Sequence, residues 1–363
     1  MTTTAPRPTA VGALRARVIK LAELATTPLV PADYLDIIDP LRSGAELRGR
    51  IVAIHPETRD AATLVIKPGR AWRTHTPGQY ARIGVDVNGI RQWRAYSLTS
   101  DTHRRDGCIT ITVKAIPDGT VSNHLVHHAT VGTIVQLDQA AGEFTLGTQT
   151  PPKILFITAG SGITPVMGML RNIVDQNPDV VLVHSAPTAE DVIFAAELRQ
   201  FHAEGRIRLM EKHTDTDGML DVGHLGDIIG DLTERQTWAC GPAGLLSSLE
   251  QRFLEDGIAD LLHTERFRPT VIATGNGGPV TFIKTGTAAE NDGIQPLLDT
   301  GEAAGVLMPS GCRMGICFGC VAPLRQGAVR DLRTGDVTTA TDGDNIQIQT
   351  CVSAAAGACD IDL

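Results

Sequence analysis

Three closely spaced cysteines are the residues in this sequence with the most distinctive chemistry. Cys312, Cys317 and Cys320 lie in the segment SGCRMGICFGCVAP, with four residues in the first gap and two in the second, and Cys351 follows after thirty more. Thiolates are soft metal ligands, and in an oxidising compartment the same residues would form disulfides. The chain has seven cysteines, an odd number that cannot pair completely within one molecule, and its N-terminus lacks an apolar segment with a small-residue cleavage site. We therefore expect a cytoplasmic protein whose clustered cysteines bind metal.

The spacing of these cysteines favours an iron–sulfur cluster over zinc. Structural zinc sites usually combine C-x2-C knuckles or Cys/His pairs, whereas here one gap has four residues and no histidine follows His263. A C-x4-C-x2-C run with a distant fourth cysteine is the pattern of plant-type [2Fe–2S] ferredoxins. Gly311, Gly315 and Gly319 would let backbone N–H groups approach the sulfur atoms. A structural zinc loop is the alternative, and Cys359 is interpreted as a bystander.

A glycine-rich turn in the middle of the chain predicts a nucleotide site. The segment KILFITAGSGITPVMGMLRNI has the pattern of a buried strand, a tight turn and a helix, and the N–H groups at a helix N-terminus bind phosphates. The turn departs from the G-x-G-x-x-G pattern because a proline occupies the third glycine position. An ordinary turn between a strand and a helix is the alternative. The candidate residues are Gly160, Ser161, Gly162, Thr164 and Pro165.

A second turn of this kind follows a later strand, in the segment TWACGPAGLL. Cys240 would lie at the carboxyl end of a parallel sheet, where open α/β folds bind ligands, and Gly241 and Pro242 would end the strand and begin a helix. A polarisable thiol at that edge would border the ring that transfers hydride, whereas a buried core cysteine is the alternative. Two such turns in one sheet strengthen the prediction of a nicotinamide site without distinguishing NADH from NADPH.

The β-rich segment upstream contains a candidate flavin site. Hydride transfer moves two electrons and a [2Fe–2S] cluster accepts one, so a flavin is the expected converter between them. In QWRAYSLTS, strand alternation places Arg94 and Tyr96 on one face, where they would bind a phosphate and stack on the flavin ring, while Ser97 would hydrogen-bond to the ring. A solvated strand is the alternative. In DGTVSNHL the start of a short helix would receive the pyrophosphate, with Gly119, Val121 and Ser122 as candidate residues.

The elements around these motifs divide the chain into four parts. Residues 1–44 form an N-terminal extension, with apolar residues at helical spacing between positions 14 and 25. Residues 45–150 contain short β-rich segments typical of an antiparallel sandwich or barrel. Residues 151–268 alternate apolar strands with helix-length segments, which predicts a parallel sheet covered by helices. Residues 269–363 contain the cysteine loop.

The charge distribution bears on the partners of the protein. The chain has a net charge of −9, and residues 269–363 carry −5 of it, from 5 basic and 10 acidic residues. This balance argues against a nucleic-acid-binding protein, and no apolar segment approaches the ~20 residues that span a bilayer. An acidic segment around the cysteines predicts docking to a basic surface on an electron-accepting protein.

Together these motifs resemble those of the ferredoxin–NADP+ reductase superfamily, in the class that has a C-terminal plant-type ferredoxin domain and the domain order of phthalate dioxygenase reductase. RAYS resembles the flavin motif of the family, GTVS its phosphate motif, and GSGITP and CGP its two nicotinamide motifs, over roughly residues 45–363. The resemblance implies a multi-domain fold. An antiparallel β-barrel would bind FAD, an α/β domain with a parallel sheet would bind NAD(P)H, and a β-grasp ferredoxin domain would hold a [2Fe–2S] cluster.

The resemblance also implies a function. The chain would be an NAD(P)H-dependent oxidoreductase that passes electrons through FAD and the cluster to a partner oxygenase or a membrane-bound fatty-acyl desaturase, because it looks most like actinobacterial reductases that serve desaturases. It would be cytoplasmic and peripheral to the membrane through its partner. A redox-sensing flavin and iron–sulfur regulatory protein is the alternative. The family's FAD-binding positions correspond here to Arg94, Tyr96, Ser97 and Ser122, and its cluster ligands correspond to Cys312, Cys317, Cys320 and Cys351. Its nicotinamide positions correspond to Gly160, Thr164 and Cys240. The resemblance implies that Ser97 and Cys240 are catalytic residues.

Overall fold

The computed structural model describes residues 31–42, 46–87, 89–117, 119–267, 273–315, 318–341, 343–344 and 346–363. The helix predicted between positions 14 and 25 and the predicted ligand Cys317 lie outside these ranges. The α-helices are α1 (Pro31–Ile38), α2 (Thr120–Asn123), α3 (Ile163–Ile173), α4 (Ala195–Ala203), α5 (Thr214–Asp217), α6 (Leu225–Ile229), α7 (Ala243–Glu255) and α8 (Leu297–Ala303). No helix in the described ranges is both long and apolar enough to cross a membrane.

The first sheet is an antiparallel barrel. Its strands follow the spatial order β4-β3-β6-β1-β2-β5, and a bridge between Leu98 and Ile111 joins the two edges. Side chains that alternate inward, such as Ile51 and Ile83, are completely buried in its core. The strands are β1 (Arg48–Thr58), β2 (Ala61–Pro68), β3 (Tyr80–Val87), β4 (Ile90–Ser97), β5 (Ile109–Lys114) and β6 (Ile134–Leu137).

The second sheet is parallel and has the order β11-β10-β7-β8-β9. Successive residues of its central strand enter two separate cores, with Phe156 packed on the side of α3 and Ile157 on the side of α7. This two-sided burial explains why the strand sequences are almost continuously apolar. The strands are β7 (Lys153–Ala159), β8 (Asp179–Ala186), β9 (Arg208–His213), β10 (Gln236–Cys240) and β11 (Leu262–Glu265).

The third sheet is mixed, with the order β13-β12-β17-β14-β15 and with β16 paired to β14. Strands β12 and β17 are parallel and the other pairs antiparallel, while α8 buries Leu297 and Leu298 against the sheet. The predicted fold class, with a barrel, a parallel α/β domain and a β-grasp domain, is thus confirmed. The strands are β12 (Gly278–Phe282), β13 (Thr287–Asn291), β14 (Val321–Asp331), β15 (Val337–Ala340), β16 (Ile346–Gln349) and β17 (Ser353–Ile361).

Helix α3 joins the barrel to the parallel sheet. Arg171 donates a hydrogen bond of 2.6 Å to the carbonyl of Thr99, and Asn172 donates one of 3.2 Å to the carbonyl of Ser100. Both carbonyls belong to the segment directly after β4. A Cβ atom on Gly168 would collide with the Leu98 carbonyl oxygen, so a glycine is required for this close approach. The helix that follows the glycine-rich turn is therefore held against the end of the predicted flavin strand.

Candidate functional site

Two turns meet at the carboxyl edge of the parallel sheet. Strands β7 and β10 are neighbours, with Thr158 in register with Cys240, so the turns that follow them are adjacent. A Cβ atom on Gly162 would lie 2.5 Å from the Cys240 carbonyl carbon and closer still to its oxygen. Gly160 has φ of +54° with open space around it, which is a conformation that suits glycine. The two segments predicted to bind a nucleotide thus form one surface.

Helix α3 begins at Ile163, one residue before the predicted Thr164, after a 3₁₀ turn at Gly160–Gly162. Thr164 donates a hydrogen bond of 3.0 Å to the carbonyl of Ser161, which closes the turn, and Pro165 is buried within the first helical turn. On the other side Pro242 caps α7 directly after Gly241. Each turn therefore directs the start of a helix toward the same edge of the sheet, as a phosphate-binding site requires.

The predicted flavin strand ends next to α3. Ser97 is buried, Tyr96 packs against the barrel core, and burial raises the pKa of the Tyr96 phenol. Arg94 is half-buried and hydrogen-bonds only to neutral groups, the Trp93 carbonyl at 2.8 Å and the Gln92 amide at 3.3 Å. Among the described residues it forms no ion pair. A half-buried cation without a carboxylate is suited to a phosphate group.

The second predicted flavin segment is a tight turn into α2. A Cβ atom on Gly119 would lie 2.5 Å from Ile116, and Val121 is buried in the barrel core. The Ser122 hydroxyl donates to the Gly119 carbonyl at 3.2 Å and accepts from the Ile116 N–H at 3.3 Å. The structure therefore gives this serine the role of closing the turn, which leaves the N–H groups of the first helical residues directed outward.

A buried carboxyl group at the nucleotide edge was missed in the sequence. Glu265 is the last residue of β11 and is in register with Cys240 on β10. The side chain of Cys240 is completely buried. The Glu265 Oε2 atom is buried without a hydrogen-bond partner in the described structure, and desolvation raises the pKa of this carboxyl to about 8. Burial also raises the pKa of the Cys240 thiol. A glutamate at the carboxyl end of a parallel strand was the available signal, since ligands bind at that edge.

The raised pKa of Glu265 predicts that stability depends on pH. An exposed glutamate ionises near pH 4.3, so between about pH 4.3 and 8 the folded state binds more protons than the unfolded state. The stabilisation is complete below this window and is lost as the pH rises toward 8. Glu265→Gln should therefore raise Tm relative to the parent protein more at pH 8.5 than at pH 5, by on the order of 5 °C, measured on the FAD-loaded protein. The exposed Glu255 on α7 provides the control, Glu255→Gln, and a pH-independent difference for Glu265→Gln would contradict the prediction.

Two of the described cysteines of the predicted cluster lie side by side in the fold. Cys312, Cys320 and Cys351 are all buried, and the Cys320 and Cys351 sulfur atoms lie 3.1 Å apart. Two thiolates on one tetrahedral metal with bonds of about 2.3 Å would lie roughly 3.8 Å apart, so a small adjustment admits a shared metal ion. Cys317 is outside the described residues, and within those residues no three His, Cys, Asp or Glu side chains are grouped closely enough to hold a metal ion. Cys359 is buried on β17 and pairs in register with Val280.

The backbone of the cysteine loop is arranged to donate hydrogen bonds to sulfur. The Met314 N–H donates to the Cys312 sulfur at 3.3 Å. The hydrogen bond with Cys320 and burial raise the pKa of the Cys351 thiol, whereas a hydrogen bond from the Gly315 N–H lowers it. Clustered sulfur atoms with N–H donors around them suit an anionic metal–sulfur centre. Bound metal ions and the N–H donors would offset the repulsion between the thiolates.

One side of this loop lies beside the barrel. Arg313 follows Cys312 and forms ion pairs with Asp299 at 2.8 Å and with Glu302, both on α8. Burial lowers the pKa of Arg94 in the barrel, the charge of Arg313 lowers it further, and the charges of Glu302 and Asp299 raise it. These groups are therefore close enough for their charges to act across the boundary between domains. The charge of Arg313, at one end of the cysteine loop, therefore acts on the predicted flavin strand.

Comparisons with known proteins agree with this arrangement. Residues 52–146 match the oxidoreductase FAD-binding domain family, and residues 156–251 match the oxidoreductase NAD-binding domain family. The NADPH oxidoreductase of Mycobacterium tuberculosis is 48% identical over 98% of this chain and 96% of its own length. The ferredoxin reductase component of 3-ketosteroid-9-alpha-monooxygenase, from the same species, is 28% identical over 84% of this chain and 92% of its own length.

The fold is also that of a solved modular reductase. Phthalate dioxygenase reductase, whose modular structure transfers electrons from pyridine nucleotides to [2Fe–2S], superposes with a TM-score of 0.61 at 22% identity. The superposition covers 88% of this chain and 98% of that protein. The domain matches, the 48% identical relative and this fold lead to one conclusion. The chain belongs to the ferredoxin–NADP+ reductase superfamily and is an NAD(P)H-dependent, FAD-binding oxidoreductase of the ferredoxin reductase type.

Proposed function

We propose that this protein carries electrons from NAD(P)H through FAD to a [2Fe–2S] cluster in its C-terminal domain, and from there to a partner oxygenase or a membrane-bound fatty-acyl desaturase. The observation that carries the proposal is the proximity of Arg94, on the flavin strand, to Arg313, on the cysteine loop. That proximity supports neighbouring positions for the flavin site and the cluster within one molecule. FAD accepts hydride as an electron pair and releases electrons singly to the cluster.

The chain's own residues provide the flavin and nicotinamide sites. Arg94 would bind the FAD pyrophosphate together with the N-terminus of α2 at Gly119–Ser122, and Tyr96 and Ser97 would contact the ring. The turn at Gly160–Pro165 and the segment Cys240–Pro242 would bind the nicotinamide nucleotide. The buried Cys240 thiol, neutral because its pKa is raised, would pack beside the nicotinamide without introducing charge.

Arg94 makes a measurable contribution to FAD affinity in this proposal. Arg94→Ala should weaken FAD binding by about 10- to 100-fold, because a charge-assisted phosphate contact in a half-buried site is lost. The measurement is the dissociation constant of FAD, from fluorescence titration of the apoprotein. Arg91 is the matched control: it lies on the same strand but is exposed and bonded to Asp86, so Arg91→Ala should retain the parent affinity. Equal losses in the two variants would refute the phosphate role.

The C-terminal domain would hold the cluster and present it to the acceptor. Cys312, Cys320 and Cys351 would be joined by Cys317 as ligands, and Met314 and Gly315 would supply N–H donors to their sulfur atoms. The relatives named as monooxygenase reductase components support an oxygenase as the acceptor, and the desaturase is proposed from the resemblance noted above. The acidic domain would dock to a basic surface. We also propose the domain limits 45–150, 151–268 and 269–363, after an extension at 1–44.

Anaerobic titration with NADPH and then NADH tests the proposal. Flavin absorption and the red-shifted iron–sulfur bands should bleach in sequence, and the coenzyme that acts at lower concentration identifies the preferred donor. If metal analysis found zinc and no iron in the protein, the proposed electron path through a [2Fe–2S] cluster would be excluded. The alternative, a redox-sensing regulatory protein, predicts slow reduction of every acceptor and a partner affinity that changes with oxidation state.

A further inference from the structure

Phe318 is an exposed aromatic residue in the cysteine loop. In the described part of the chain two aromatic side chains are among the exposed large hydrophobic residues, Phe267 at 38% and Phe318 at 67%. Phe318 lies two residues before the predicted ligand Cys320, and Leu307, which leads into the same loop, is 74% exposed. An aromatic side chain exposed to solvent beside the predicted cluster suggests a binding role, because aromatic side chains are enriched at the centres of protein interfaces.

The backbone of Phe318 adds a second observation. Its φ is +56°, in the left-handed region that costs a residue with a Cβ atom free energy. Phe194 has a similar φ of +64°, but its ring is buried and packs against the Arg171 guanidinium at 5.0 Å. Packing within the protein offsets the cost at Phe194. The Phe318 ring is exposed to solvent instead, so the ring itself is free to contact another molecule.

The loop has two different sides. Arg313, on the side near the barrel, is fastened to α8 through Asp299 and Glu302 and lies close to Arg94. Electrons would therefore arrive from that side. Phe318 is on the solvent-exposed part of the same loop, which leaves it available to the protein that receives them.

The charge of the domain indicates which protein fits. Four of its five basic residues are paired with carboxylates: Lys284, Arg313, Arg325 and Arg333. Several carboxylates, by contrast, form no salt bridge with any described residue, so the domain carries an excess of negative charge. These are Glu290, Asp292, Asp336, Asp344 and Asp360.

We propose that Phe318 is the apolar centre of the surface on which an electron-accepting protein with a basic docking face binds. The inference rests on the proposed function, since it takes the cysteine loop as the point where electrons leave. The acceptor would bury the ring in an apolar recess surrounded by Lys and Arg side chains. Docking is followed by transfer of one electron to the acceptor, with no covalent bond made or broken and no proton moved.

The test uses cytochrome c, a basic haem protein, as the probe, with the full-length reductase loaded with its cofactors. Phe318→Ser should raise KM for cytochrome c and lower kcat/KM by about tenfold, because a central aromatic contact is lost. The cytochrome c affinity measured by titration should fall in parallel. Phe318→Leu should keep most of the affinity. Ile294, which is 55% exposed in the same domain, provides the matched control, and Ile294→Ser should leave every value unchanged.

Two further readouts separate docking from assembly of the site. Ferricyanide reduction and anaerobic bleaching of the cluster bands by NADPH should be the same in Phe318→Ser and the parent protein. If Phe318→Ser lost the cluster bands, Phe318→Gly would make the same test without the left-handed backbone penalty. Raising the ionic strength from about 10 mM to about 200 mM should lower kcat/KM for cytochrome c in both proteins alike, because salt screens the carboxylates and not the ring.

Several results would overturn the proposal. A kcat/KM within about twofold of the parent value in Phe318→Ser, at unchanged cluster content, would show that the ring does not bind the acceptor. If kcat/KM for cytochrome c did not change with ionic strength, the proposed basic docking face of the acceptor would be contradicted. A dimer that Phe318→Ser dissociates, or loss of binding to phosphatidylglycerol vesicles with unchanged cytochrome c affinity, would assign the ring to self-association or to lipid. Absence of cluster bands in the parent protein would instead refute the proposed function itself.

Discussion

Cys320→Ser should lower the rate of cytochrome c reduction by about 100-fold or more, while ferricyanide reduction stays within about twofold of the parent rate. Cys320 is buried, and its sulfur lies 3.1 Å from that of Cys351, so a hydroxyl group at this position removes a thiolate from the centre of the predicted ligand set. Ferricyanide takes electrons directly from the flavin and does not require the cluster. The measurement is the pair of NADPH-dependent rates, together with iron and acid-labile sulfide content.

The same domain offers a matched control for this substitution. Cys359 is as buried as Cys351 but lies on β17, in register with Val280. Cys359→Ser places a hydroxyl in the core with no effect on the predicted ligands, so iron content and both rates should be preserved. Equal iron loss in the two variants would mean that the domain simply fails to fold. Full iron content in Cys320→Ser would remove Cys320 from the ligand set.

Gly162→Ala should lower kcat/KM for NADPH by about 100-fold with ferricyanide as the acceptor, because a displacement of about 1 Å at a reacting site has an effect of this size. The added methyl group would lie 2.5 Å from the Cys240 carbonyl carbon, so the two turns at the sheet edge would have to separate. Both turns belong to the predicted nicotinamide site. FAD content should be unaffected, since the barrel is not touched.

A glycine in open space provides the comparison. Gly244 lies in the first turn of α7, close in sequence to Cys240, and a Cβ atom there would meet nothing within 4 Å. Gly244→Ala should keep the parent kcat/KM and slightly raise Tm, because alanine favours a helix over glycine by about 1 kcal/mol. If Gly162→Ala behaved like Gly244→Ala, the contact between the turns would have no role in nucleotide binding.

Local patterns in the sequence predicted a large part of this protein. The strand alternation, the change to apolar strands with helix-length spacers, and the cysteine spacing led to the three domain types that the fold confirms. These predictions succeed because each depends on neighbours in the chain. A turn needs its glycines, and a ferredoxin loop needs thiols at set intervals. The sequence also showed Cys240 at a strand end, where the structure has it.

Features that depend on packing between distant segments were not predictable from the same patterns. Gly168 looks like an ordinary helical glycine, and only the approach of the Leu98 carbonyl shows why a side chain is excluded. Glu265 is a common residue at the end of a short strand, and only the desolvation that it meets in the folded protein raises its pKa.

The sequence by itself predicted which chemistries this chain contains: thiols at ferredoxin spacing, two candidate nucleotide turns and a candidate flavin strand. Tertiary structure alone decided their order in space. Contact between α3 and the segment after β4 brings the predicted nicotinamide turn to the predicted flavin strand, and the charge of Arg313 on the cysteine loop acts on Arg94 of that strand. The kind of ligand that a site can bind depends on side-chain types and on short spacings in the sequence. The distance between sites depends on which domain surfaces are complementary, and that is a property of the folded chain as a whole.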